Sequence, residues 1–173
     1  VGVIDPHGDL AEALLDQIPI ERHHEVIYFN PADRNFPISF NPFADVPPES
    51  RDMVTDEIMS AFKSIWNKSW SESRMQNIFL HTIRALLDCP NATVLGIDRM
   101  LLDPVYRQQV LKFVKNDQVK QYWIEIFEQY SKREMREAIA PVQHRIGQLL
   151  MSEPIRNILG QARNRLDFRH IMD

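Results

Sequence analysis

The chain holds one cysteine, Cys89, so it can form no disulfide within itself. A disulfide-stapled scaffold is thereby excluded, and a reducing compartment is the expected setting. Only 5 residues are glycine. They stand at positions 2, 8, 96, 147 and 160, with no Gly-x-x-x-x-Gly-Lys-Ser/Thr spacing, so a phosphate-cradling loop is missing. No apolar run ends in the Asp-Glu pair that would hold magnesium and activate water. Nor does any apolar run approach the roughly 18–20 residues of a membrane-spanning helix, so no membrane contact is expected and a cytoplasmic location is. No repeat period or low-complexity tract is visible. The opening residues Val1-Gly2-Val3-Ile4-Asp5 carry no Met, no basic stretch and no cleavage site. They do not form a signal peptide, and they predict a segment from the interior of a longer chain.

What is present is a globular composition. The 173 residues are 44% hydrophobic and 25% charged, enough to build a core and too apolar for disorder. The formal net charge of −4 hides an asymmetry. Residues 1–60 hold 12 Asp and Glu against 3 Lys and Arg, and the remainder holds 12 against 17. The basic part permits contact with phosphates, although ordinary solvated helix faces give the same counts.

The first 30 residues predict a strand, a helix and a strand. Val1–Asp5 is a short apolar run closed by Pro6 and Gly8. Asp9 can cap a short helix with Leu10, Ala11, Leu14 and Leu15 on one face, stopped by Pro19. Glu25–Phe29 is a second β-rich run. One parallel βαβ step follows from this order, yet two strands cannot cover both their faces. The unit is therefore expected to belong to a larger α/β domain. Residues 30–49 carry Pro31, Pro37, Pro42, Pro47 and Pro48 with Phe36, Phe40 and Phe43 between them. They predict an extended linker pinned to a surface.

From Glu49 the apolar period changes to 3.6. Val54 to Trp66 and Met75 to Leu87 mark two amphipathic helices, the second ended by Cys89-Pro90. Thr93 can cap a third, running from Leu95 to Leu102. Asp103-Pro104 opens a fourth, Asp117 a fifth and Ser131 a sixth, which Pro141 is expected to kink or split. Ser152-Glu153-Pro154 begins a last short helix that Gly160 ends. The expectation is a mainly α chain. Residues 1–46 are the βαβ edge and linker, 47–160 a multi-helix all-α domain, and 161–173 a return segment.

Asp5-Pro6-His7-Gly8-Asp9 is the densest cluster of chemistry. It follows a predicted parallel strand, where α/β folds place ligands, but a tight turn with Asp9 as helix cap and His7 exposed explains it equally. Asp-x-His could also hold two metals in a phosphoesterase. His23, His24, His81, His144 and His170 recreate no second ligand cluster. Cys89 beside Pro90 reads as a small apolar filler rather than a nucleophile. Trp66, Trp70, Tyr122, Trp123 and Tyr130 fall at core spacing, and only an exposed member could stack on a base. Lys132, Arg133, Arg136 and Arg145 could form a basic stripe for nucleic acid, interrupted by Glu134 and Glu137.

Three stretches together resemble a family. They are Val3-Ile4-Asp5-Pro6-His7-Gly8-Asp9-Leu10, Val26-Ile27-Tyr28-Phe29-Asn30-Pro31, and Ile38-Ser39-Phe40-Asn41-Pro42-Phe43. Their order is similar to the HerA/FtsK superfamily of DNA-pumping ATPases, nearest to the conjugation coupling proteins of type IV secretion (TraG/TraD class). Ile158-Leu159-Gly160-Gln161 and Leu166-Asp167-Phe168-Arg169 resemble the passage back into such a motor. The resemblance implies an all-α domain inserted in a RecA-like P-loop motor. It also implies a homo-hexameric parent using ATP and Mg, at the cytoplasmic face of an inner membrane, and Asp5, His7 and Asp9 near its nucleotide. DNA, or a DNA–protein transfer complex with its accessory proteins, would be the partner. The motor's phosphate loop and Asp-Glu are absent from these residues, so no ATP hydrolysis is expected from them alone. Two other functions remain open on the residues themselves: the metal-dependent phosphoesterase, and a non-enzymatic helical module that binds a protein partner.

Overall fold

A computed structural model describes residues 2–66 and 73–166. Trp70, the Asp167-Phe168-Arg169 element and His170, all singled out above, lie outside the described residues. The described chain is mainly helical. In order come α1 (Asp9–Leu15), α2 (Arg51–Trp66), α3 (Ser73–Asp88), α4 (Leu95–Leu102), α5 (Pro104–Leu111) and α6 (Asp117–Gln121). A π-helical stretch (Tyr122–Phe127) continues α6, and α7 (Lys132–Met151) and α8 (Glu153–Leu159) follow. Short 3-10 turns occupy Ile20–Glu25 and Pro48–Ser50.

Helix α3 is the centre. Met75, Ile78, Phe79, Thr82, Ile83 and Leu86 recur at helical spacing and are all buried, so every neighbour packs on one broad stripe. Helices α2, α4, α5, α6 and α7 all contact it. Burial of Ile78, Phe79, Ile83 and Leu86 contributes about 1.5–3 kcal/mol each before chain entropy is subtracted. The Thr82 hydroxyl, also buried, donates to the Ile78 carbonyl at 2.7 Å, which removes the cost of an unpaired polar group. Gly96 lets α4 approach: a Cβ there would lie 2.7 Å from the Tyr106 hydroxyl and 3.0 Å from Leu86.

The helix starts follow capping chemistry. The Asp103 carboxylate accepts from the Val105 and Tyr106 N–H groups, with Pro104 at the first helical position. Ser131 and Glu134 form a reciprocal capping box at α7. Helix α6 begins at Asp117 as expected, and Asn116, one residue outside it, accepts from the Gln118 and Val119 N–H groups. Thr93 makes no side-chain cap; the α4 N-cap is Val94, without a side-chain bond. Pro141 does not split α7, which runs unbroken through it. Its missing N–H deletes one hydrogen bond from a 20-residue ladder whose inner face, Ala138, Ile139, Val142 and Ile146, stays packed.

Arg107 is a charge inside the core, 4% exposed. Its guanidinium donates to the Met100 carbonyl at 2.8 Å, at the end of α4. It lies 5.1 Å from the Phe127 ring centroid and 6.0 Å from that of Trp123. The carbonyl end of a helix and two aromatic faces are the kinds of partner that stabilise a buried cation.

The βαβ unit requires a correction. Neither residues 2–5 nor residues 26–30 form a strand, and no strand occurs among the described residues. A strand exists only when a neighbour satisfies its backbone groups, and neither run has one here. Their apolar side chains are consequently exposed: Ile4 is 96% exposed, and Val3, Ile27, Tyr28 and Phe29 are exposed as well. Helix α1 forms where expected but buries no residue. Nothing before Ser39 is buried among the described residues. The linker is pinned in part. Phe43 joins the core and Phe40 is half-buried, whereas Phe36 is exposed.

Candidate functional site

Asp5 is committed to the backbone. One carboxylate oxygen accepts from the His7 N–H at 3.0 Å. The other accepts from the Leu10 and Ala11 N–H groups at 2.9 and 3.1 Å. Gly8, with φ 91°, supplies the left-handed step that turns the chain back over Asp5. Asp5, rather than Asp9, thus satisfies the first donors of α1, and Asp9 lies in the first helical turn. The Ala11 and His7 N–H bonds hold the Asp5 carboxyl below the usual carboxylate range, against a smaller opposing effect of burial. His7 and Asp9 are exposed.

Among the described residues, no group of three or more His, Cys, Asp and Glu side chains is placed to hold a metal ion. His23 lies against the Ile18 carbonyl and His144 against Gln148, so neither is brought to Asp5. The start of α1 could attract an anion, but the Asp5 carboxylate already occupies its N–H groups. In this chain the Asp5 carboxylate is turned to its own backbone, and His7 and Asp9 stand exposed beside it.

The four candidate nucleic-acid residues divide. Lys132, Arg133 and Arg136 are exposed on the first turns of α7. Arg133 is paired with Glu137 at 2.9 Å along the same helix. Arg145 is turned inward, its guanidinium 5.7 Å from the Trp66 ring centroid. The stripe thus reduces to one end of one helix, with Glu134 and Glu137 among its cations. Three of the candidate aromatic residues are turned into the protein. Trp66 packs on Phe62 and Phe79, while Tyr122 and Trp123 are buried.

The most organised polar arrangement is one that sequence reasoning placed only within a family motif. Asn41 is 1% exposed. Its amide nitrogen donates to the Ala92 carbonyl at 2.8 Å and the Ala162 carbonyl at 3.2 Å. Its amide oxygen accepts from the Phe43 N–H at 3.1 Å. Asn164 completes a reciprocal pair, accepting from the Asn41 N–H and donating to the Asn41 carbonyl. Around this pair the Arg165 N–H reaches the Ser39 hydroxyl, the Phe40 N–H reaches the Ile158 carbonyl, and the Gln161 amide reaches the Pro37 carbonyl. Residues 37–41 and 158–165, more than a hundred positions apart, are clasped side by side. The sequence signal for it was Asn41-Pro42 between two phenylalanines, where a polar residue interrupts an otherwise apolar run.

Two hollows flank the clasp. One, about 370 Å³, is entirely apolar and is lined by Phe29, Phe40, Ile155, Ile158, Leu159 and Leu166. The other is polar and holds the largely buried Arg51–Asp88 ion pair that ties α2 to the end of α3. Asp88 also accepts from the Lys115 N–H at 2.8 Å. Both carboxylate oxygens are thus engaged in holding chain segments together. No family model, curated protein or solved structure matches the chain.

Proposed function

We propose that this chain carries the helical insert of a DNA-translocating motor of the conjugation coupling type, and that the insert binds the transported DNA or DNA–protein complex without catalysing a reaction itself. The observation that supports it best is the clasp. An insert must leave and re-enter its host at one place, and residues 37–41 and 158–165 lie together. A second observation agrees. Residues 2–29 hold Val3, Ile4, Leu10, Leu14, Ile20, Ile27, Tyr28 and Phe29 in exposed positions, as a piece of sheet and helix would without the host that buries it. ATP and Mg would belong to the host of such an insert, which would be a hexamer.

The phosphoesterase alternative is less favoured, because the Asp5 carboxylate serves three backbone N–H groups. DNA contact would come from Lys132, Arg133 and Arg136, and it would be independent of base sequence. Titration of duplex DNA at several salt concentrations tests this. Each phosphate contact contributes a slope of about −0.9 in log K against log salt. Lys132→Gln with Arg136→Gln should flatten the slope by about 2. Affinity that does not fall with added salt would remove DNA from the proposal. It would leave a helical module that binds protein.

A further inference from the structure

Tyr130 differs from Tyr122 and Trp123, which are buried, and from Trp66, which is closed in by Phe62, Phe79 and Arg145. Its ring is half-buried. One part packs against the helical core, where Phe127 steadies it at 5.9 Å between centroids and a tilt of 59°. The Tyr130 N–H donates to the Phe127 carbonyl at 3.3 Å, so the backbone beneath the ring is fixed as well. Arg74, exposed at the start of α3, holds its guanidinium 6.0 Å from the Tyr130 ring centroid. That is the outer limit of a cation–π contact. Bonds to Ser131, and after them the nearby Arg74 charge, hold the Glu134 carboxyl below the usual range, so Arg74 stands close to the start of α7. Arg74 forms no ion pair among the described residues.

We infer that Tyr130 and Arg74 form a stacking site for an unpaired nucleobase, with Lys132 and Arg136 on the phosphates beside it. An aromatic ring set among cations is what proteins use to hold single strands, since every base has a face to stack and every link a phosphate. In a duplex those faces are already covered by neighbouring bases. The gap between ring and guanidinium suits a base. A base between them needs about 7 Å, twice the contact distance of carbon atoms, so the exposed arginine has only to move by about 1 Å. Lys132 and Arg136, both exposed, follow Tyr130 by two and six positions. The inference rests on the DNA-binding reading of this end of α7 and deepens it, from phosphate contact alone to a preference for unpaired strands.

Binding of the full chain to short DNA strands, read by fluorescence anisotropy at low salt, tests it. Oligothymidylate and an abasic strand of the same length carry the same phosphates, and only the first has bases to stack. The wild type should bind oligothymidylate about tenfold more tightly than the abasic strand. Tyr130→Leu, which keeps apolar packing, should remove that difference, and Tyr130→Phe, which keeps the ring, should retain it. Arg74→Gln, at an exposed position, should narrow the difference, weaken both strands and flatten the salt slope by about 0.7. Equal affinity of the wild type for the two strands would overturn the inference. So would a difference that neither Tyr130→Leu nor Arg74→Gln narrows. Duplex binding that falls with salt would in either case still support the phosphate contacts of α7. Absence of binding to strands and duplex alike would remove the DNA reading, and this site with it.

Discussion

His81 shows how one side chain can tie stability to pH. Its ring stacks on Tyr122, with centroids 3.8 Å apart. One ring nitrogen lies 2.8 Å from the Asn77 carbonyl, and its own carbonyl accepts from the Trp123 indole. Burial pulls the imidazole below its usual value of 6.5, only partly offset by the Asn77 carbonyl. The folded chain therefore binds fewer protons at this ring than the unfolded chain does. Its stabilising effect is complete above pH 6.5, declines as the pH falls through that value, and levels off below the folded pKa. Urea midpoints at pH 7.5 and 5.5 should show the loss in the wild type and a smaller one in His81→Phe, which keeps a stacked ring. An equal loss in both would show that other groups set the slope.

At the scale of the element, α7 carries two sequence features of opposite sign. The Ser131 hydroxyl accepts from the Glu134 N–H at 3.3 Å, and the Glu134 carboxylate accepts from the Ser131 N–H at 2.9 Å. Ser131→Ala should cost about 1 kcal/mol. Pro141 lies mid-helix and denies the Glu137 carbonyl its helical donor. Pro141→Ala should gain about 1 kcal/mol, within the roughly 3 kcal/mol that an interior proline can cost. Chemical denaturation of both variants checks the pair, and a loss in Pro141→Ala would show that packing around Val142 and Ile146 needs the proline. Most helices were legible in the sequence because their signals are local. Asp103-Pro104, the Ser131 box and Gly160 each act within about four residues. The strands were not, since an apolar run of five becomes a strand only beside another.

For the whole molecule, the division falls near residue 37. Among the described residues nothing before Ser39 is buried, and Arg34–Glu153 is an exposed ion pair at 3.9 Å, a kind of contact that contributes little. A chain without residues 2–36 should keep its helical far-UV signal, less α1, and melt within about 4 °C of the wild type, equivalent to about 1 kcal/mol at this size. A larger drop would show that α1 and the runs beside it carry part of the fold. The candidate site followed the same division. Asp5, His7 and Asp9 caught attention by their chemistry, and they lie in the exposed part. Asn41, inconspicuous in the sequence, lies where two distant arms meet.

The order of the residues alone determined where α2 to α8 run, because helix hydrogen bonds and caps join positions three or four apart. It also determined which face of α3 is apolar. The roles of Asp5, Asn41, Arg107 and Arg145 were decided only in three dimensions. Each depends on what stands opposite: backbone N–H groups for Asp5, the Ala92 and Ala162 carbonyls for Asn41, two carbonyls and two rings for Arg107, Trp66 for Arg145. A polar side chain costs or stabilises according to its partner, and for the Asn41 amide the carbonyls of Ala92 and Ala162 are 51 and 121 positions away along the chain.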